Sequence, residues 1–143
     1  MKRHILPLLF IAFISIALYA NTLQNGFVYD DEFTVVENTG IKRLDNLPEL
    51  IDPGEYFSLS GEVTYRPVVT ITYFIDYYLY GLKPWGFHLT NLLLHALNGV
   101  LLYIFLASSA INRAQGSRSF LNDPPFIISL LFSTHPVLTE AVN

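Results

Sequence analysis

Gly86-Phe87-His88-Leu89-Thr90-Asn91-Leu92-Leu93-Leu94-His95-Ala96-Leu97-Asn98-Gly99-Val100-Leu101-Leu102-Tyr103-Ile104-Phe105-Leu106-Ala107 sits between Lys83 and Arg113 with no charged residue in between. A bilayer core takes about 20 residues of helix, and Leu89 to Ala110 supplies them, so this stretch predicts a full membrane span. Its polar residues are ordered. His88, Asn91, His95 and Asn98 fall at i, i+3, i+7 and i+10, one stripe of a helix. Polar groups inside a membrane face a bundle interior or a wet cavity. Interhelical hydrogen bonding is the expectation for His95 and Asn98, which lie deeper, whereas His88 stands near the outer boundary and is placed to reach a site there. Two histidines seven apart without a close acidic partner make a poor zinc set.

Working outward, a first apolar segment follows Lys2-Arg3-His4 and stays uncharged from Ile5 to Tyr29. Its greasiest part, Ile5 to Ala20, is 16 residues, so a spanning helix there extends to around Leu23. A cleaved signal peptide ending at Ala20 is the competing reading, weakened by Leu18 where a small residue is preferred. A third apolar run, Phe126 to Leu138, follows Asp123-Pro124-Pro125, with Pro125 suited to a first helical turn. It covers only about 20 Å of helix, and His135-Pro136 interrupts it, because proline cannot donate the helical hydrogen bond. The sequence thus reads as a truncated piece: span 5–24, outer loop 25–86, span 87–110, inner loop 111–124 and an incomplete third span 125–143.

Composition agrees. The chain is 52% apolar and 14% charged, against roughly 25% charged in soluble domains. A net charge of −4 without any Lys/Arg cluster excludes a nucleic-acid footprint, and the lack of cysteine excludes disulfides, thiolate zinc and iron–sulfur sites. Lys2 and Arg3 precede the first span, and Arg113 and Arg118 follow the second. The positive-inside rule puts both on the cytoplasmic side. The region between holds ten acidic and four basic residues, a net −6, and belongs outside. The expected location is an integral membrane protein of the cell inner membrane or endoplasmic reticulum, with a cytoplasmic N-terminus.

Within the outer region, Leu44 to Leu50 predicts a short turn of helix stopped by Asp52-Pro53-Gly54, and residues 54 to 64 read as loop. Tyr65 to Tyr80 is Tyr-rich and apolar with one acidic residue, which suits a helix lying at the membrane–water boundary. The β-branched run Val68 to Thr72 leaves a strand as the alternative.

Asp30-Asp31-Glu32 can act as a general base, as oxygen ligands for a divalent cation, or as solvated loop. Arg66, just before Pro67, can hold a phosphate at headgroup height, or simply snorkel or form an ordinary salt bridge. His135 and Glu140, beyond the third run, suit either a site wall or a plain helix terminus.

Five motifs in order carry a resemblance: Asn25-Gly26-Phe27-Val28-Tyr29-Asp30-Asp31-Glu32, Val36-Glu37-Asn38, Tyr65-Arg66-Pro67-Val68-Val69, Gly86-Phe87-His88 through Asn98, and His135-Pro136-Val137-Leu138-Thr139-Glu140. Together they resemble the N-terminal part of the protein O-mannosyltransferase-like membrane proteins, polytopic enzymes of the GT-C fold, many with C-terminal tetratricopeptide repeats. The resemblance implies an all-α integral membrane chain, the N-terminal part of a GT-C bundle with a large extracytoplasmic first loop holding interfacial helices. It implies transfer of a sugar, such as mannose, from a polyprenyl-phosphate donor to an acceptor hydroxyl on protein or glycan. By the same resemblance Asp30 and Asp31 are catalytic with Glu32 adjacent, and Arg66, His135 and Glu140 belong to the substrate site; Glu32 and, from its place near the outer boundary, His88 are counted among the substrate-binding residues with them. No tightly bound metal is expected. Leu138 departs from the pattern, since many family members carry a second histidine there. The alternative is a non-enzymatic transporter or assembly subunit with an acidic outer loop. A signal-anchored periplasmic binding domain fits poorly with a second span.

Overall fold

Two long apolar helices dominate, α1 (Lys2–Tyr19) and α5 (Pro84–Ser108). The computed structural model describes residues 2–60, 64–109 and 119–142, and every regular element among them is helical. α1 runs on through a tighter turn, Ala20–Gln24, which extends the apolar helical stretch to the length expected from sequence. The stretches His4–Gln24 and Pro84–Ser108, of 21 and 25 residues, are both long and apolar enough to cross a membrane. Many of their apolar side chains point outward: Leu9 is 63% exposed, Phe13 67% and Phe105 68%. A core helix of a soluble protein would bury such side chains; lipid accommodates them. Arg113 and Arg118, on which part of the expected topology rests, lie outside the described residues.

The chain divides into two compact units, one of residues 23–90 and one of residues 1–22 with 91–143. In the first, Leu44–Asn46 forms a tight turn that leads into α2 (Leu47–Ile51), as expected. The expected loop beyond it is wrong over most of its described length. Residues 53 to 60 form α3 (Pro53–Ser60). The reason is local: the Asp52 side chain accepts the Gly54 amide at 2.7 Å, and its carbonyl accepts the Tyr56 amide at 2.9 Å. Asp-Pro-Gly reads as a turn, yet acid followed by Pro at the first position is also a helix start.

The Tyr-rich stretch is α4 (Pro67–Tyr80), a helix and not a strand. Proline opens it, and Gly81, at φ +64°, closes it by donating its amide to Tyr77 at 2.8 Å. The unit's core gathers Val35, Ile41, Leu50, Phe74 and Phe87. Fully buried Tyr56 shares a 2.7 Å hydrogen bond with Thr70, which ties α3 to α4.

In the second unit, α6 (Pro124–Thr134) lasts 11 residues before Pro136 ends it. A turn at Pro136–Leu138 and a last short helix, α7 (Thr139–Val142), follow. Ile11, Tyr103 and Phe126 form the core, and Gly99 and Ser133 let α5 and α6 approach closely. His4 and Tyr103 share a hydrogen bond of 2.9 Å, and their rings lie 5.9 Å apart. The expected polar stripe is only partly right. His88 and His95 are buried, but Asn98 is exposed, and the neighbouring Gly99 turns inward instead. A glycine at the contact brings backbones nearer than an asparagine allows.

Candidate functional site: the acidic turn

The acidic triplet grows out of a tight, reciprocally bonded turn. The Asp31 amide donates to the Val28 carbonyl at 3.1 Å, and the Val28 amide donates to Asp31 Oδ2 at 3.0 Å. Between them Tyr29 adopts φ +53°, a left-handed conformation that β-carbon crowding makes costly for a side chain other than Asn, Asp or Gly. Next comes a helical turn in which the Asp30 carbonyl accepts the amides of Phe33 and Thr34 and the Thr34 hydroxyl, at 2.9–3.0 Å. A wider turn follows, in which the Glu37 amide reaches back five residues to the Glu32 carbonyl at 2.8 Å.

Asn38 locks the far end. It donates to the Thr34 carbonyl at 3.0 Å and accepts from the amides of Gly40 and Ile41. Gly40 is required here, because a β-carbon would stand 2.6 Å from the Leu59 carbonyl oxygen. At the near end Phe27 packs edge-on against Phe87 at the start of α5, with ring centres 5.4 Å apart.

This scaffold treats the three carboxylates differently. Asp30 and Glu32 are exposed, while Asp31 is drawn half into the protein. Burial raises the Asp31 pKa above the ordinary carboxylate value. The Val28 amide opposes the rise, the Asp30 charge adds to it, and the His88 imidazole lowers it again. His88 lies just beyond Phe87 and is only 2% exposed. Thus Asp31 and His88 come within electrostatic reach of one another.

Arg66 lies in the same unit. Its exposed residue precedes α4, with its amide on the Tyr56 hydroxyl at 3.2 Å and its carbonyl accepting the Thr70 amide at 3.0 Å. His135 belongs to the other unit, where its exposed ring accepts the Val137 amide on Nδ1 at 3.2 Å. Glu140 falls in α7, and its side chain lies outside what the structure describes. Among the described residues no three His, Asp or Glu side chains stand close enough to share a metal ion.

One polar residue escaped the sequence reading. Asp76 on α4 is 2% exposed and accepts the Thr90 hydroxyl at 2.5 Å. Burial pushes its carboxyl up to about 6, against the pull of that hydroxyl. The available signal was its isolation, one charge in a 14-residue apolar helix.

The chain is 33% identical over 159 aligned residues to "Protein O-mannosyl-transferase Tmtc3" of Drosophila melanogaster, covering 99% of this chain and 17% of that protein. It is 33% identical over 138 residues to human "Protein O-mannosyl-transferase TMTC2", covering 90% of this chain and 15% of the other. With mouse "Protein O-mannosyl-transferase TMTC4" the figures are 31% over 143 residues, 94% and 19%. No protein-family model and no solved structure matches the chain. The chain is therefore a relative of the proteins named protein O-mannosyl-transferase, matched over nearly all of its own length and less than a fifth of theirs.

Proposed function

We propose that this chain supplies the catalytic acidic turn of a membrane glycosyltransferase. In this reading the enzyme moves a sugar, mannose by its relatives' names, from a polyprenyl-phosphate donor to an acceptor hydroxyl on the extracytoplasmic face. Asp31 is the general base. It removes the acceptor's proton as the oxygen attacks the anomeric carbon, and the sugar–phosphate bond breaks with its electrons leaving on phosphate. Arg66 holds the lipid phosphate, and Asp30 and Glu32 flank the base. No metal is assigned a part in the step.

The observation that carries the reading is the singling out of Asp31. A base gains from a proton affinity raised toward the working pH, and Asp31, the carboxylate of the three that is drawn half into the protein, has such a rise. The test is sugar transfer by the full-length protein. Asp31→Asn is expected to cut kcat by about a hundredfold or more, the usual worth of a general base, and Asp30→Asn by less. Normal transfer with Asp31→Asn would falsify the assignment. If no lipid-linked sugar is transferred at all, the transporter or assembly-subunit reading takes its place. The outward face is tested separately: cysteines placed singly at Ser58 and Ser117 in this cysteine-free chain are labelled from outside only at position 58.

A further inference from the structure

A polar cleft of about 280 Å³ opens on the stretch of chain that follows the acidic turn, within the same unit. One wall is Phe33, Glu37, Asn38 and Thr39; the other is Ser58 and Leu59 at the end of α3. Its volume stands at the small end of ligand pockets, roughly 300–1,000 Å³, and suits a single ring. The local turn produces the first wall. Thr34 and Val35 are buried, which leaves Phe33 and Glu37, four residues apart, on one outward face. The second wall is held against it where Gly40 meets the Leu59 carbonyl, a contact too close for a β-carbon. Asn38 is fixed by its bonds to Thr34, Gly40 and Ile41. The cleft is therefore shaped before any ligand arrives.

Its polar groups chiefly accept. The Glu37 carboxylate is exposed and has no partner among the described residues. The Ser58 hydroxyl donates to the Glu55 carbonyl at 2.7 Å, which leaves it lone pairs to offer. The Thr39 hydroxyl caps nothing and can act either way. No Lys or Arg stands among the described lining residues, so an anion such as the donor's phosphate finds no counter-charge here and meets Glu37. A neutral ligand rich in hydroxyl groups fits better, provided that it also has an apolar face for Phe33, which is 65% exposed. A pyranose ring has both, since hydroxyls surround its edge and its C–H face packs on an aromatic ring. An extended peptide is commonly held by a sheet edge, and every regular element among the described residues is helical.

We propose that this cleft is a pyranose-binding subsite, with Phe33 as the stacking surface and Glu37, Thr39 and Ser58 as hydroxyl partners. Its place in catalysis rests on the proposed glycosyltransferase reading, whereas its chemistry does not. Phe33 lies two residues past Asp31, and its amide donates to the Asp30 carbonyl at 3.0 Å. The stacking surface and the base thus stand within one helical turn, about 5 Å along the axis. The sugar held here belongs either to the donor or to an acceptor glycan.

The direct test is saturation-transfer NMR of methyl α-D-mannopyranoside with the full-length protein in lipid nanodiscs, which reads binding without turnover. Phe33→Ala and Glu37→Ala are each expected to weaken binding by about fivefold or more, and Phe33→Trp, which keeps a stacking ring, to retain it. Both residues are exposed, and thermal midpoints equal to the parent's show that the variants fold. No binding by the parent, or unchanged binding in both alanine variants, overturns the proposal. So does binding of a lysine-containing peptide in place of the pyranoside, which marks a cation site.

Sugar transfer separates the two sources. In Phe33→Ala a raised KM for the acceptor assigns the cleft to an acceptor glycan, and a raised KM for the donor assigns it to the donor's sugar. A lower kcat with both KM values unchanged counts against a binding role and overturns it. Variant-sensitive binding in a protein that transfers no sugar supports the cleft and retires the glycosyltransferase reading alone. Active transfer with both alanine variants silent retires the cleft alone.

Discussion

His95 Nε2 lies 3.0 Å from the carbonyl oxygen of Ser133, joining the middle of α5 to the last turn of α6. The bond exists because α6 stops. In a continuing helix the Ser133 carbonyl would accept the amide of Val137, but that amide is turned onto the His135 ring. Pro136 has no amide to give Phe132, which accepts from His135 at 3.2 Å instead. Tyr19 completes the repair by donating its hydroxyl to the His135 carbonyl at 2.9 Å, its ring edge-on to His95 at 5.1 Å.

His95→Leu keeps the volume and removes the donor. It is expected to destabilise the protein by about 1 kcal/mol, the scale of interhelical hydrogen bonds in membranes, in a reversible detergent-unfolding titration. His95→Gln, which retains a donor, should recover part of the loss. Equal stability of the Leu variant and the parent would show that the α6 end is satisfied without this bond.

Gly99 packs against Ser133, and a β-carbon there would also stand 3.1 Å from Ile11. Gly99→Ala asks that the Ser133 hydroxyl rotate and that Ile11 give by a few tenths of an ångström, while helix propensity favours alanine by about 1 kcal/mol, so little net change is expected. Gly99→Val forces the helices apart and should cost about 2 kcal/mol or more. The same unfolding titration reads both, and a silent valine would mean that the close approach is not needed.

The raised Asp76 carboxyl sets a direction for stability against pH. A pKa near 6 in the folded protein, against about 3.9 unfolded, means that the folded state binds the extra proton between those values. Stability is therefore greatest below pH 4 and falls as pH rises to about 6 on this group's account. Asp76→Asn removes the term. It should be more stable than the parent at pH 7, by on the order of 2 kcal/mol, and lose the advantage at pH 4. Thermal midpoints of both proteins across this range give the answer, and parallel curves would contradict it.

Tyr29 holds a left-handed backbone, φ +53°, and the residue is 93% exposed. A side chain so exposed offsets little of the strain by burial. Tyr29→Asn suits that backbone better and should raise stability by about 1 kcal/mol. A loss of stability on thermal unfolding would mean that the tyrosine ring contributes packing.

The charge-free stretch around α5 and the proline break at Pro136 were readable because membrane thickness and the missing proline amide act locally on the sequence. The acidic turn was readable for the same kind of reason, as a charged cluster beside an apolar segment. What escaped depended on contacts distant in sequence. Asp52-Pro53-Gly54 is compatible with both a turn and a helix start; the Asp52 bonds to Gly54 and Tyr56 start α3, and Tyr56 reaching Thr70 ties it to α4. The burial of Asp76 depends on Thr90, 14 residues away. Asn98 and Gly99 are adjacent in sequence, and only the packing of Ser133 selects the glycine.

The His135 ring, closed onto the Val137 amide through Nδ1, has its chemistry decided by that bond. A neutral imidazole carries one proton, and with Nδ1 accepting, the proton sits on Nε2. The exposed edge of His135 therefore offers an N–H and no lone pair. It can grip an oxygen acceptor but cannot abstract a proton, and for a metal ion to use either nitrogen the ring must first change tautomer or let go of the turn that follows α6.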